Sequence, residues 1–143
     1  MRNFLSLVLA ALACLCVADR AAAQCFPIPG TGCPGQNPVV CNTAPAIGTN
    51  FTFSCPASCG PAVAQSIILG IPILPLPLPS PPLCTTGCLL GCQPMNVFPG
   101  PTFTIAIPNN STLVGVQLCL QCACQVAGTI CLTVSQATLV VIQ

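Results

Sequence analysis

The chain has 143 residues, with two basic residues, one acidic residue and no histidine, tyrosine or tryptophan. Its charges, Arg2, Asp19 and Arg20, all precede position 21, so residues 24–143 are neutral apart from chain ends and free thiols. That composition excludes charge-steered binding of nucleic acid or acidic lipid, carboxylate sites for hard cations, and acid–base or Ser-His-Asp catalysis.

In chain order, residues 1–23 read as a secretory signal. Arg2 supplies a positive start, residues 4–17 an apolar stretch, and Ala21, Ala22 and Ala23 a small-residue cleavage site before Gln24. The apolar stretch is short for a membrane span. Later apolar stretches are broken by proline (67–78) or are shorter (137–142), so no transmembrane segment is expected in the processed chain. The expected location is extracellular or in the cell envelope.

Twelve of the 14 cysteines follow that signal: Cys25, Cys33, Cys41, Cys55, Cys59, Cys84, Cys88, Cys92, Cys119, Cys122, Cys124 and Cys131. An even number at this density in an exported chain predicts a disulfide framework of six bridges. Spacing does not reveal the pairing.

Residues 24–45 form a cysteine-containing, loop-rich arm, with a short strand expected at Val39 and Val40. Residues 46–143 are expected to be a small disulfide-rich β-sandwich, an all-β fold. Asn50–Ser54 is its first strand, with Phe51 and Phe53 alternating around Thr52. A second apolar run covers 66–71. Residues 71–82 hold six prolines, which dictate extended edge or polyproline-like chain. The leucines and isoleucines between them suit a packed crossover better than a docked ligand. Residues 102–107 alternate cleanly, and Pro108, Asn109 and Asn110 mark a turn. Residues 113–125 predict the longest strand. Val116, Leu118, Leu120, Cys122 and Cys124 share one face; Gln117, Cys119, Gln121, Ala123 and Gln125 share the other. The amide-rich face predicts a half-buried strand. Gly128 ends it, and two closing strands are expected over 129–134 and 137–142. Helix signals are nearly absent.

The segment Ile105-Ala106-Ile107-Pro108-Asn109-Asn110-Ser111-Thr112-Leu113-Val114-Gly115-Val116 is followed by Gln121, by Val134-Ser135-Gln136-Ala137 and by Val140-Val141-Ile142. This pattern resembles a secreted domain of planctomycete-type bacteria. Leu76-Pro77-Leu78-Pro79 before Cys84 resembles the leucine–proline stretch of that domain, and the likeness covers residues 46–143. It implies an extracellular β-sandwich with no assigned activity, so no site residues transfer. The chain departs from the pattern in its many cysteines and in Cys119, where an aromatic residue is common.

Cysteine is the remaining source of chemistry. Cys119-x-x-Cys122-x-Cys124 and Cys84-x3-Cys88-x3-Cys92 have metal-like spacing, and Cys119 and Cys122 have the spacing of redox dithiols. The exported context, the even count and the predicted strand favour structural bridges, so no metal and no cofactor is expected. Phe51, Phe53 and Phe103 alternate as core residues do, leaving little aromatic surface for a sugar platform. The sequons at Asn50, Asn109 and Asn110 matter only in a glycosylating host. The leading expectation is a secreted, non-enzymatic structural or surface-interaction protein of the cell envelope or extracellular matrix. The alternative is a carbohydrate- or protein-binding module, and a thiol-redox or metal-thiolate protein ranks third. Without charge repulsion, self-association or adsorption to envelope components is expected.

Stability varies with pH only where folded and unfolded chains bind different numbers of protons. Between positions 24 and 143 there is no carboxylate, imidazole, ammonium, guanidinium or phenol side chain. The oxidised protein should therefore unfold at a constant denaturant concentration from about pH 3 to pH 9. A slope above roughly 0.5 kcal/mol per pH unit in such titrations would reveal a differentially titrating group, most simply a free thiol.

Overall fold

Strands form where β-branched, aromatic or cysteine side chains alternate with Thr, Ser or Gln. The computed structural model describes residues 24–59, 62–79, 82–83, 85–126, 128–129 and 131–143. The expected signal segment and Cys84 lie outside them. The strands are β1 (Cys25–Pro27), β2 (Val40–Cys41), β3 (Asn50–Ser54), β4 (Ala62–Pro77), β5 (Leu89–Pro99), β6 (Thr102–Ala106), β7 (Gln117–Val126), β8 (Leu132–Val134) and β9 (Thr138–Val141). Helical structure among the described residues is limited to 3₁₀ turns, including Ala57–Cys59 and Ser111–Leu113.

The larger sheet has the order β1-β9-β7-β4-β5, with β8 also paired to β7, and the smaller sheet the order β2-β3-β6. Neighbouring strands are antiparallel. The sheets pack face to face, burying Phe51 and Phe53 against Ile67, Leu120, Cys122, Cys124 and Val140. The molecule is thus the disulfide-rich all-β fold that alternation predicts. On the other side of the small sheet the Thr52 and Thr104 hydroxyls pair at 2.8 Å. Residues 24–45 enter both sheets: β1 pairs with β9, and β2 with β3.

The proline-rich stretch is extended, as its chemistry requires, but it is a hairpin strand paired with β5 rather than the packed crossover expected, and Ile71, Leu74 and Leu76 are exposed on it because the ribbon runs past the edge of the sheet. β4 is central only as far as Gly70, where its pairing with β7 ends at Cys119. Beyond that point it pairs with β5 alone, through Pro72, Leu76 and Pro77. Proline's missing N–H is tolerated on the open side. Gly70 itself allows a close crossing, because the Gln93 carbonyl oxygen occupies the space a Cβ would need.

Three features differ from the sequence expectation. β5 is an 11-residue strand that the sequence does not predict, because Gly91, Pro94 and Pro99 interrupt its alternation. β7 starts at Gln117 rather than at 113. Asn110 accepts hydrogen bonds from the Thr112 backbone N–H (3.0 Å) and hydroxyl (2.9 Å). That cap turns Ser111–Leu113 into a 3₁₀ turn, and Gly115, at φ +84°, completes the bend. Finally, β7 is not half-buried. Residues on both of its faces are buried, Leu120, Cys122 and Cys124 on one, Cys119 and Gln121 on the other. The second face is covered by the start of β5 and by the arm, where Ile68, Cys92, Cys119 and Ala137 form a separate apolar cluster.

Burying Gln121 requires partners for its amide. Its Oε1 accepts from Gly91 N–H at 3.0 Å, and its Nε2 donates to the carbonyls of Leu89 (3.1 Å) and Ser135 (2.9 Å). Ser135 lies in the link between β8 and β9, and its hydroxyl accepts from Cys122 N–H at 2.8 Å. The arm closes on the same link, since the Thr31 hydroxyl accepts from Ala137 N–H at 2.9 Å and donates to the Ile28 carbonyl at 2.6 Å. Gln121→Leu keeps similar bulk but strands the Gly91 N–H and the Ser135 carbonyl, while the Leu89 carbonyl keeps its bond from Gly32 N–H at 2.7 Å. It should lower the unfolding free energy of the oxidised protein by about 3 kcal/mol in a denaturant titration. A loss below about 1 kcal/mol would show that these bonds do not hold the covered face together.

Candidate functional site

Sulfur chemistry is concentrated around β7, and strand parity decides its arrangement. Side chains on a strand alternate in direction, so Cys119 points to one face and Cys122 and Cys124 to the other. Cys119 is bonded to Cys92 of β5. Cys122 is bonded to Cys55, just past β3, with a Cα–Cα distance of 5.7 Å; Cys124 is bonded to Cys59, in the following 3₁₀ turn, at 5.8 Å. Cys25 of β1 is bonded to Cys41 of β2, and Cys33 of the arm to Cys88 ahead of β5. Three bridges thus join the small sheet and its trailing turn to the large sheet, and two fasten the covering layer.

The two spacings that looked metal-like in sequence are taken apart by this geometry. Cys119 faces away from Cys122 and Cys124. Cys88 and Cys92 belong to different bridges, and Cys84 lies outside the described residues. Cys119 and Cys122 likewise have separate partners, so their C-x-x-C spacing is not a closed dithiol pair. Cys131 is half-buried and bonded to no other described cysteine. A different set comes together instead. The sulfurs of Cys55, Cys59 and Cys124 all lie within 4.8 Å of one another, and Cys122 is bonded to Cys55. This three-sulfur group was hidden because Cys124 lies 65 residues from Cys59 along the chain.

A second feature is a depression of about 330 Å³ whose lining includes Gly30, Gly32, Gly35, Gly87, Gln36 and Gln136. The Cys33–Cys88 bridge anchors two of its loops. Gln36 Oε1 is buried without a hydrogen-bond partner, leaving an acceptor unsatisfied beside the opening. Phe51 and Phe53 are buried, and Phe98 stacks on Phe103 with centroids 3.9 Å apart. Of the described phenylalanines, Phe26 is the exposed one, 45% accessible. A third feature is the outer part of the β4–β5 ribbon, which exposes Ile71, Leu74, Leu76, Met95 and Val97.

The segment that carries the sequence resemblance builds structure. Ile107 enters the core, Asn110 caps the 3₁₀ turn, and Gly115 N–H donates to the Ile142 carbonyl at 2.8 Å. No family model, curated protein or solved structure matches this chain.

Non-reducing peptide maps of the oxidised protein should recover five linked pairs: Cys25 with Cys41, Cys33 with Cys88, Cys55 with Cys122, Cys59 with Cys124, and Cys92 with Cys119. Alkylation before and after reduction should then differ by at least ten labels. Recovery of Cys119 linked to Cys122 would contradict the two-faced arrangement on β7.

Proposed function

We propose that the protein is a secreted, non-enzymatic structural or surface-interaction protein of the cell envelope or extracellular matrix. One observation carries this reading: a chain with no acid–base side chain after position 20 fastens its two sheets and their covering layer with five disulfides. Bridges of this kind persist in oxidising compartments and are rare in the cytosol. Among the described residues no helix is long and apolar enough to cross a membrane. The exposed apolar ribbon, with Leu74 89% accessible, gives the neutral surface a face for self-association or adsorption. The likeness to a secreted planctomycete-type domain points the same way.

The glycine-lined depression favours a second reading, a module that binds a neutral donor-bearing ligand such as a carbohydrate. The unpartnered Gln36 oxygen would accept from it. Pull-down with purified wall polysaccharide separates the two readings. Binding lost in Gln36→Ala at unchanged stability would support the module.

Fractionation of native cells tests the leading reading. The protein should be found in the medium, envelope or matrix fraction, with an intact mass that lacks residues 1–23. Recovery from the cytosol with reduced cysteines would overturn it.

A further inference from the structure

Gln24 combines near-complete burial with an unsatisfied side chain. It is 6% accessible, and its Oε1 is buried without a hydrogen-bond partner. The position is also tied down. Cys25, the next residue, opens β1 opposite Val140 of β9 and is bonded to Cys41, whereas chain ends are ordinarily loose. A buried polar group without a partner costs free energy, and a buried charge without a partner costs more. Cleavage after Ala23 would place both at this position, a primary amide and a new α-ammonium. Residues 24–143 contain no side-chain carboxylate to pair with that ammonium.

We propose that Gln24 is a modification site, and that once cleavage after Ala23 makes it the first residue it cyclises to pyroglutamate. This rests on the proposed export, which supplies the cleavage. An N-terminal glutamine holds its α-nitrogen and its Cδ within reach of each other, as the two ends of an unstrained lactam ring. The neutral amine attacks Cδ. The N–Cδ bond forms, the Cδ–Nε2 bond breaks, and Nε2 leaves as ammonia with a proton from the attacking nitrogen. No oxidant, reductant or water is consumed. The ring closes before β1 docks on β9, since in the folded chain position 24 is enclosed. What is then buried is a lactam with one carbonyl and one N–H, in place of an ammonium and a primary amide.

The consequence extends to the whole molecule. The two basic side chains of the sequence are Arg2 and Arg20, and lysine is absent. The α-amine of Gln24 would therefore be the single primary amine of the processed chain. Its loss removes the terminal positive charge and leaves a protein closed to aminopeptidases, aldehydes and amine-directed cross-linking.

The test uses the protein isolated from the medium or envelope. After reduction, its intact mass should equal that of residues 24–143 less one ammonia. Reductive dimethylation under denaturing conditions should add no label. Pyroglutamyl aminopeptidase should then restore stepwise sequencing, starting at Cys25. Gln24→Ala, which cannot close the ring, should take up label at one amine. Should that variant fail to fold, the mass and labelling of the unaltered chain decide. A chain that starts at Gln24 with its ammonia retained and its amine labelled would overturn the cyclisation and leave export standing. Any other first residue would overturn both the cleavage site and the cyclisation.

Discussion

Burial of β7 on both faces is the constraint on which the remainder of the structure depends. A strand in that position offers no side to water, so every polar group on it needs a protein partner. Gln121 supplies three bonds at once, to β5 and to the link between β8 and β9. Those bonds fix where the start of β5 crosses β7 and where the closing strands kink. The arm then fits onto the same link through Thr31 and through Gly32. A side chain at Gly32 would press to 2.5 Å from the Ser135 carbonyl oxygen.

Covalent bonds take over what ion pairs do elsewhere. The described residues contain no charged side chain, so no salt bridge orients one sheet against the other. The disulfides close sequence separations from 16 to 67 residues. In the chain-entropy account each would stabilise the fold by about 3–4 kcal/mol, less where the loops overlap. Their placement follows from β7. Its alternating faces send Cys119 into the covering layer and Cys122 and Cys124 into the core between the sheets. One strand thereby ties all three layers together.

The same placement sets what the molecule can do chemically. Two bridges lie close together at the core's edge, where the sulfurs of Cys55, Cys59 and Cys124 fall within 4.8 Å of one another, whereas Cys92–Cys119 lies on the opposite face of β7. Away from the sulfurs the chemistry is that of amides, hydroxyls and apolar side chains. Recognition by this protein would rest on shape, hydrogen bonding and apolar contact rather than on long-range attraction.

The sequence by itself determined the fold class, the neutral surface and most of the strands. Alternation at Asn50–Ser54 and across 102–107 set which residues face the core, and such alternation is a local property. The prolines after Ile71 settled that this stretch is extended and bonded on one side at most, because the missing N–H is local too. Tertiary structure alone decided three things. It made β5 a strand, since pairing with β4 overrides the interruptions at Gly91 and Pro94. It buried the amide face of β7, since only the start of β5 and the link between β8 and β9 could supply partners to Gln121. And it chose the sulfur partners: Cys119 and Cys122 are close along the chain yet point apart, while Cys55 and Cys122 meet across 67 residues. Spacing along a chain reports which way a side chain points, but contact between distant segments depends on how the sheets stack, and that is a property of the whole fold.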